Sequence, residues 1–208
     1  MSTRQILGSL ACGAVLLAGV PACSAKPDDK PQVSSSGSSD SANGGSPTGT
    51  TAADLLKLGV EQGQAGDYDA AKTSFEKVLA AEADNKFAWF NLGFIAQSRN
   101  QADEAISNYD KALSADGEYK PALYNKAIVL EGSAPTTSME IYRKVVSIDD
   151  KASTAYLRLG VLLSKSGDDA AARDAFKAAI RLDKRLTSAV PAKYRPAPTA
   201  RASTPAGR

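Results

Sequence analysis

The sequence predicts an all-α chain built as a solenoid of four stacked helix pairs, flanked by segments that carry no core of their own. Three observations lead there. Small residues recur at Gly59, Gly93, Ala127 and Gly160, spaced 34, 34 and 33 residues apart. A second small column, Ala71, Ala105, Ser138 and Ala172, keeps step with the first, and an aromatic column, Phe75, Tyr109, Tyr142 and Phe176, follows it four residues later each time. Turn signals fall between the two small columns in every copy, at Gly66-Asp67, Asn100-Gln101, Ala134-Pro135 and Gly167-Asp168. A period of this length, with helical spacing inside each copy, marks an architecture whose units bury their apolar faces only against neighbours.

The elements follow in chain order. Met1 to Gln5 holds one cation, Arg4, and an apolar run from Ile6 to Val20 follows, the layout of a secretory signal over residues 1–22. The run is short for a spanning helix. It ends in Val20-Pro21-Ala22-Cys23, which resembles the lipobox of bacterial lipoproteins, with Pro21 standing where that pattern usually has a small residue. The resemblance implies that Cys23 is lipidated and becomes the mature N-terminus, which would anchor the chain to the cell membrane with the rest on the extracytoplasmic side. The alternatives are an unmodified Cys23 beside an ordinary cleavage site and an uncleaved anchor; Arg4 held inside gives the anchored forms the same orientation.

Residues 23–51 then form a tether. From Ser24 to Thr51, Ser, Gly, Pro, Thr and Asp dominate, and Val33 is the only large aliphatic residue. Such a segment cannot bury enough surface to offset its ordering entropy. Its root-mean-square reach as a coil is ~30 Å and its extended limit ~95 Å.

Residues 52–186 divide into four copies, 52–85, 86–119, 120–152 and 153–186. Leu55, Trp89, Leu123 and Tyr156 precede the first small column by four residues, and Val78, Ala112, Val145 and Ala179 complete the register. This order of small and large residues resembles the tetratricopeptide repeat (TPR). The resemblance implies a right-handed superhelical solenoid of four TPR helix pairs, in which the small residue of the first helix faces that of the second and the aromatic fills the space beneath. Asp67 and Asp168 are placed to cap second helices. The one missing residue lies near Gly132-Ser133-Ala134-Pro135, since loops tolerate deletion.

Three features depart from the family pattern. The closing proline is absent from all four copies, with Ala83, Gly117 and Lys184 at or near its place. Lys126 stands in a column otherwise held by Leu58, Leu92 and Leu159, and its stem is expected to cover the core while the ammonium reaches solvent. No capping helix is evident after the fourth copy, so residues 187–208 read as a disordered basic tail and Leu182, Leu186 and Val190 as an exposed apolar end, available for a partner, self-association or a loosely docked tail.

In such repeats the first helices line a concave groove, and the resemblance places Lys57, Asn91, Asn125 and Arg158 in it, two residues before the small column. A line of asparagines facing solvent could grip the backbone of an extended peptide, because one amide both donates and accepts; a polar residue on a solvated face is the alternative. Flanking columns contribute Phe90 and Tyr124, with Leu56 and Leu157, and Phe94 and Ile128, with Val60 and Val161. A protein or peptide ligand is therefore the expected partner. Envelope polysaccharide, stacking on the groove aromatics, is the alternative. The two-carboxylate clamp of some such repeats matches only in part, because Leu56, Val60 and Thr154 replace residues it requires.

Composition argues against other classes. There is no histidine, and both cysteines, Cys12 and Cys23, precede the repeats, so neither the commonest general base and metal ligand nor a thiol nucleophile is available in the folded part. No metal site, cofactor or enzymatic activity is expected. The carboxylate pairs Asp103 and Glu104, Asp149 and Asp150, and Asp168 and Asp169 lie near helix starts and turns, where acids satisfy free N–H groups. Residues 52–186 carry 18 Lys plus Arg against 20 Asp plus Glu, so the net charge of +2 comes largely from the tail, and nucleic acid is not expected as a partner.

Overall fold

A computed structural model describes residues 50–196, and among these the regular structure is entirely helical. Eight α-helices form four antiparallel pairs: α1 (Ala52–Gln64) with α2 (Tyr68–Ala81), α3 (Lys86–Ser98) with α4 (Ala102–Ala115), α5 (Lys120–Leu130) with α6 (Pro135–Ile148), and α7 (Ser153–Lys165) with α8 (Asp169–Leu182). The signal, Cys23, most of the tether and the last twelve residues lie outside the described residues. Among the described residues no helix is long and apolar enough to cross a membrane.

Local chemistry sets the helix ends. Thr51 and Asp54 form a reciprocal capping box at the start of α1. Asp67 and Asp168 cap α2 and α8 as expected, each accepting at 3.0 Å from the backbone N–H three residues on. The hairpins of the first, second and fourth pairs turn through a left-handed residue at Gly66, Asn100 and Gly167, at φ of 85°, 59° and 87°. The third hairpin has no such residue. That is where the period shortens, and α5 is 11 residues long against 13 for the other first helices.

Packing within a pair brings the small columns and the aromatic column together. The glycines of the first column lie under the aromatic rings of the second helix: a methyl group on Gly59, Gly93 or Gly160 would come within 2.7, 2.6 or 2.8 Å of Phe75, Tyr109 or Phe176. The second small column is fully buried, and in the third pair the Ser138 hydroxyl donates to the Ala127 carbonyl at 2.7 Å. Each second helix packs in turn on the first helix of the next pair. Successive first helices also touch, α1 on α3 and α3 on α5, which puts them on the inner side of the stack.

The junctions between pairs do without proline. Lys86 at the start of α3 reaches Asp116 beyond the end of α4 at 2.6 Å, and Lys120 repeats the contact with Asp149 at 2.9 Å. Lys126 keeps its stem against the stack, as expected, and its ammonium pairs with Asp110.

The C-terminal end corrects the sequence reading. The chain does not become a tail at residue 187: 3₁₀ turns at Lys184–Ala189 and Ala192–Tyr194 fold back over the last pair. Val190 is fully buried and Tyr194 only 5% exposed, its ring 4.9 Å from that of Phe176. The Tyr194 hydroxyl bonds Ser164 and Asp169, and Lys193 pairs with Asp169. The physical reason is that the exposed end of α7 and α8 is apolar, and two aliphatic and aromatic side chains suffice to cover it.

Candidate functional site

The inner face is built from the first helices. Lys57 is exposed and only loosely paired with Glu61 at 3.9 Å. Phe94, Tyr124 and Ile128 are half-buried, as are Leu56, Leu157 and Val161, so each presents part of its side chain outward. Phe90 does not: it is 6% exposed, with its ring edge-on to Tyr119 at 5.5 Å and tilted against Tyr109 at 5.9 Å.

The expected asparagine line is not a line of free amides. Asn91 is fully buried; its Nδ2 donates to the Phe87 carbonyl at 2.8 Å and its Oδ1 has no partner. Asn125 is half-buried and its amide lies near enough to the Tyr109 hydroxyl to offset part of the rise that burial imposes on that phenol's pKa. Arg158 donates from Nε to the Tyr124 hydroxyl at 3.2 Å and from Nη1 to Glu131 at 2.8 Å. Burial alone would lower the Arg158 pKa, but Tyr124, Tyr142 and Glu131 hold it above its ordinary value.

One rule accounts for all three positions. Each follows the aromatic residue of the preceding pair by 16 residues: Phe75 to Asn91, Tyr109 to Asn125, Tyr142 to Arg158. In the second and third pairs that aromatic is a tyrosine, and its hydroxyl donates to an acceptor on its own first helix, Gln97 at 2.6 Å or Glu131 at 2.7 Å. Arg158 of the next pair joins the Tyr142 network through the same Glu131, and Asn125 lies beside the Tyr109 hydroxyl. In the first pair the aromatic is Phe75, which offers no hydroxyl, so Asn91 turns back to its own helix and leaves one carbonyl unmet. Sequence reasoning missed Gln97 and Glu131, although they stand 34 residues apart and accompany the two tyrosines.

Two of the carboxylates singled out from the sequence, Asp149 and Asp169, are held in ion pairs. Asp149 and Asp169 are held below the usual carboxylate range, by Lys120 in one case and by Tyr194 and Lys193 in the other, whereas an acid–base catalyst near neutrality needs the opposite shift. Among the described residues no group of histidine, cysteine or acidic side chains is gathered as metal ligands. Shallow hollows of about 430 and 280 Å³ lie along α4 and between α2, α3 and α4, away from the inner face.

Comparison with known proteins identifies the repeats. Sequence profiles described as tetratricopeptide repeat match residues 56–119 and 153–185. Between these matches lies the divergent third pair, with its short α5, Ala127 in place of glycine and Ser138 in place of alanine. No curated protein sequence matches the chain at a significant level. Among solved structures, MamA is similar with a TM-score of 0.60 and 23% identity, over 67% of this chain and 82% of that one. YrrB, described as a TPR protein with an unusual peptide-binding site, has a TM-score of 0.61 and 19% identity over 67% of this chain and 73% of that one. A tetratricopeptide repeat protein from Parabacteroides merdae has a TM-score of 0.60 and 20% identity over 66% of this chain and 55% of that one. At these identities the likeness is one of fold, an all-α solenoid, and the two profiles identify tetratricopeptide repeats at residues 56–119 and 153–185.

Proposed function

We propose that the chain is a membrane-tethered, extracytoplasmic scaffold that binds an extended polypeptide segment along its inner face. The observation that carries this reading is a row of half-exposed apolar side chains on successive first helices: Leu56, Phe94, Tyr124 with Ile128, and Leu157 with Val161. The polar groups interleaved with them are mostly engaged within the stack, so affinity comes from apolar side chains docking between helices. Lys57, Asn125 and the Arg158–Tyr124 pair then orient the ligand. YrrB, a structural neighbour, is described as having a peptide-binding site, which supports the same class of ligand. The anchoring part rests on Val20-Pro21-Ala22-Cys23 and the Ser/Gly-rich segment after it.

The test uses a peptide selected from a random library on the chain beginning at residue 24, with calorimetry of wild type against Phe94→Ala combined with Tyr124→Ala. Loss of two apolar anchors at ~1 kcal/mol or more each is expected to weaken binding at least about ten-fold. Unchanged affinity with an unchanged melting temperature would move the binding surface off the inner face. Anchoring is tested separately by intact mass: the protein extracted from membranes should begin at Cys23 and carry acyl mass.

A further inference from the structure

The charges of the folded unit are segregated along the stack. From residue 50 to 119 there are 12 acidic residues against 6 basic ones, and from 120 to 196 there are 14 basic against 8 acidic, so a near-neutral unit consists of halves at −6 and +6. Four of the six cations of the acidic half are held in ion pairs: Lys57 with Glu61, Lys72 with Glu76 and Glu104, Lys86 with Asp116, and Arg99 with Asp69. The basic half ends differently. On α8, Arg173, Lys177 and Arg181 stand four residues apart on one exposed ridge ~12 Å long. Lys184 follows, also exposed. Asp174 and Asp169 are the acids beside this ridge; Asp169, which also feels Arg173, is engaged by Tyr194 and Lys193, and Asp183 by Arg185. Beyond the cap, residues 197–208 add Arg201 and Arg208 and no acid.

We infer that the α8 ridge, with Lys184 beyond it, is a docking surface for an anionic lipid bilayer. The inference rests on the tethered reading above, and the tether supplies its second support. It joins the stack at the acidic end, and its extended limit of ~95 Å exceeds the ~40 Å length of four stacked pairs at about 10 Å each, so the far end can reach the same membrane. Anionic headgroups attract surface cations and repel the −6 half, which turns the basic end inward. A Ser/Gly-rich tether also holds that end near the surface at an effective concentration in the mM range. The stack then meets the membrane through its basic end, with the acidic half turned away from it.

The experiment uses the chain from residue 24 to 208, which lacks Cys23 and retains all the core contacts of the fold, since these lie within residues 50–196. Co-sedimentation is measured with vesicles of phosphatidylglycerol mixed into phosphatidylcholine and with vesicles of phosphatidylcholine alone. Binding is expected to the anionic vesicles only and to fall as salt is raised. Arg173→Glu with Lys177→Glu and Arg181→Glu should weaken it on the order of a hundred-fold while leaving helicity and melting unchanged. Lys77→Glu, exposed on the acidic half, should change it little. Equal binding to neutral vesicles, or none to either kind, would overturn the proposal. So would salt-sensitive self-association in sedimentation without vesicle binding, which would assign the basic end to the acidic half of a second copy. Because this chain carries no lipid, the outcome stands apart from the intact-mass test of Cys23.

Discussion

Gly93 and Tyr109 lie so close that a methyl group on the glycine would meet the ring at 2.6 Å, and the same relationship holds for Gly59 with Phe75 and Gly160 with Phe176. The aromatic ring replaces a side chain on the facing helix and sets the separation within a pair. Gly93→Ala is therefore expected to force Tyr109 out of position and cost ~1 to 3 kcal/mol, read as a lower melting temperature. An unchanged melting temperature would show that the pair can widen freely.

The unmet carbonyl of Asn91 gives a prediction of opposite sign. Residue 91 stands 16 positions after the aromatic at position 75, as Asn125 does after Tyr109. Phe75→Tyr should supply the missing hydroxyl and stabilise the fold by ~0.5 to 1.5 kcal/mol. Denaturant unfolding of the two proteins checks it, and destabilisation would mean that the buried space beside Asn91 cannot take an oxygen atom.

The C-terminal cap should be structural and acid-sensitive. Tyr194→Ala removes a buried ring from the end of the stack and is expected to cost ~3 to 5 kcal/mol. Asp169 is held below its ordinary value of 3.8 by Tyr194 first and Lys193 second. A depressed carboxylate stabilises the folded state above the unfolded value, and that contribution is lost as pH falls through the lower folded value. The cap should thus loosen only below about pH 3.8, followed through the Tyr194 ring signals by NMR. Asp169→Asn should remove that dependence.

Much of this was legible because the period exposes columns, and columns reveal burial: Ala105, Tyr109 and Ala112 were assigned to the core from spacing alone and are fully buried. The inner face was less legible. The position of Asn91 is set by its column, but its burial depends on what the preceding aromatic lacks, a relation across two repeats. The cap was missed because Val190 and Tyr194 sit among Pro, Lys and Arg in a segment without periodicity, and only the apolar end they cover explains their burial.

The central claim is that a polypeptide lies along the inner face. Its most direct measurement is site-specific photocrosslinking with the full-length protein in its own membranes, placing the crosslinker at Phe94 or Leu157 on the inner face and at Thr73 or Ser107 on the outer ridge. Discrete adducts of one partner polypeptide from both inner positions, and none from the outer ones, are predicted. Adducts from the outer positions with none from the inner ones would contradict the account.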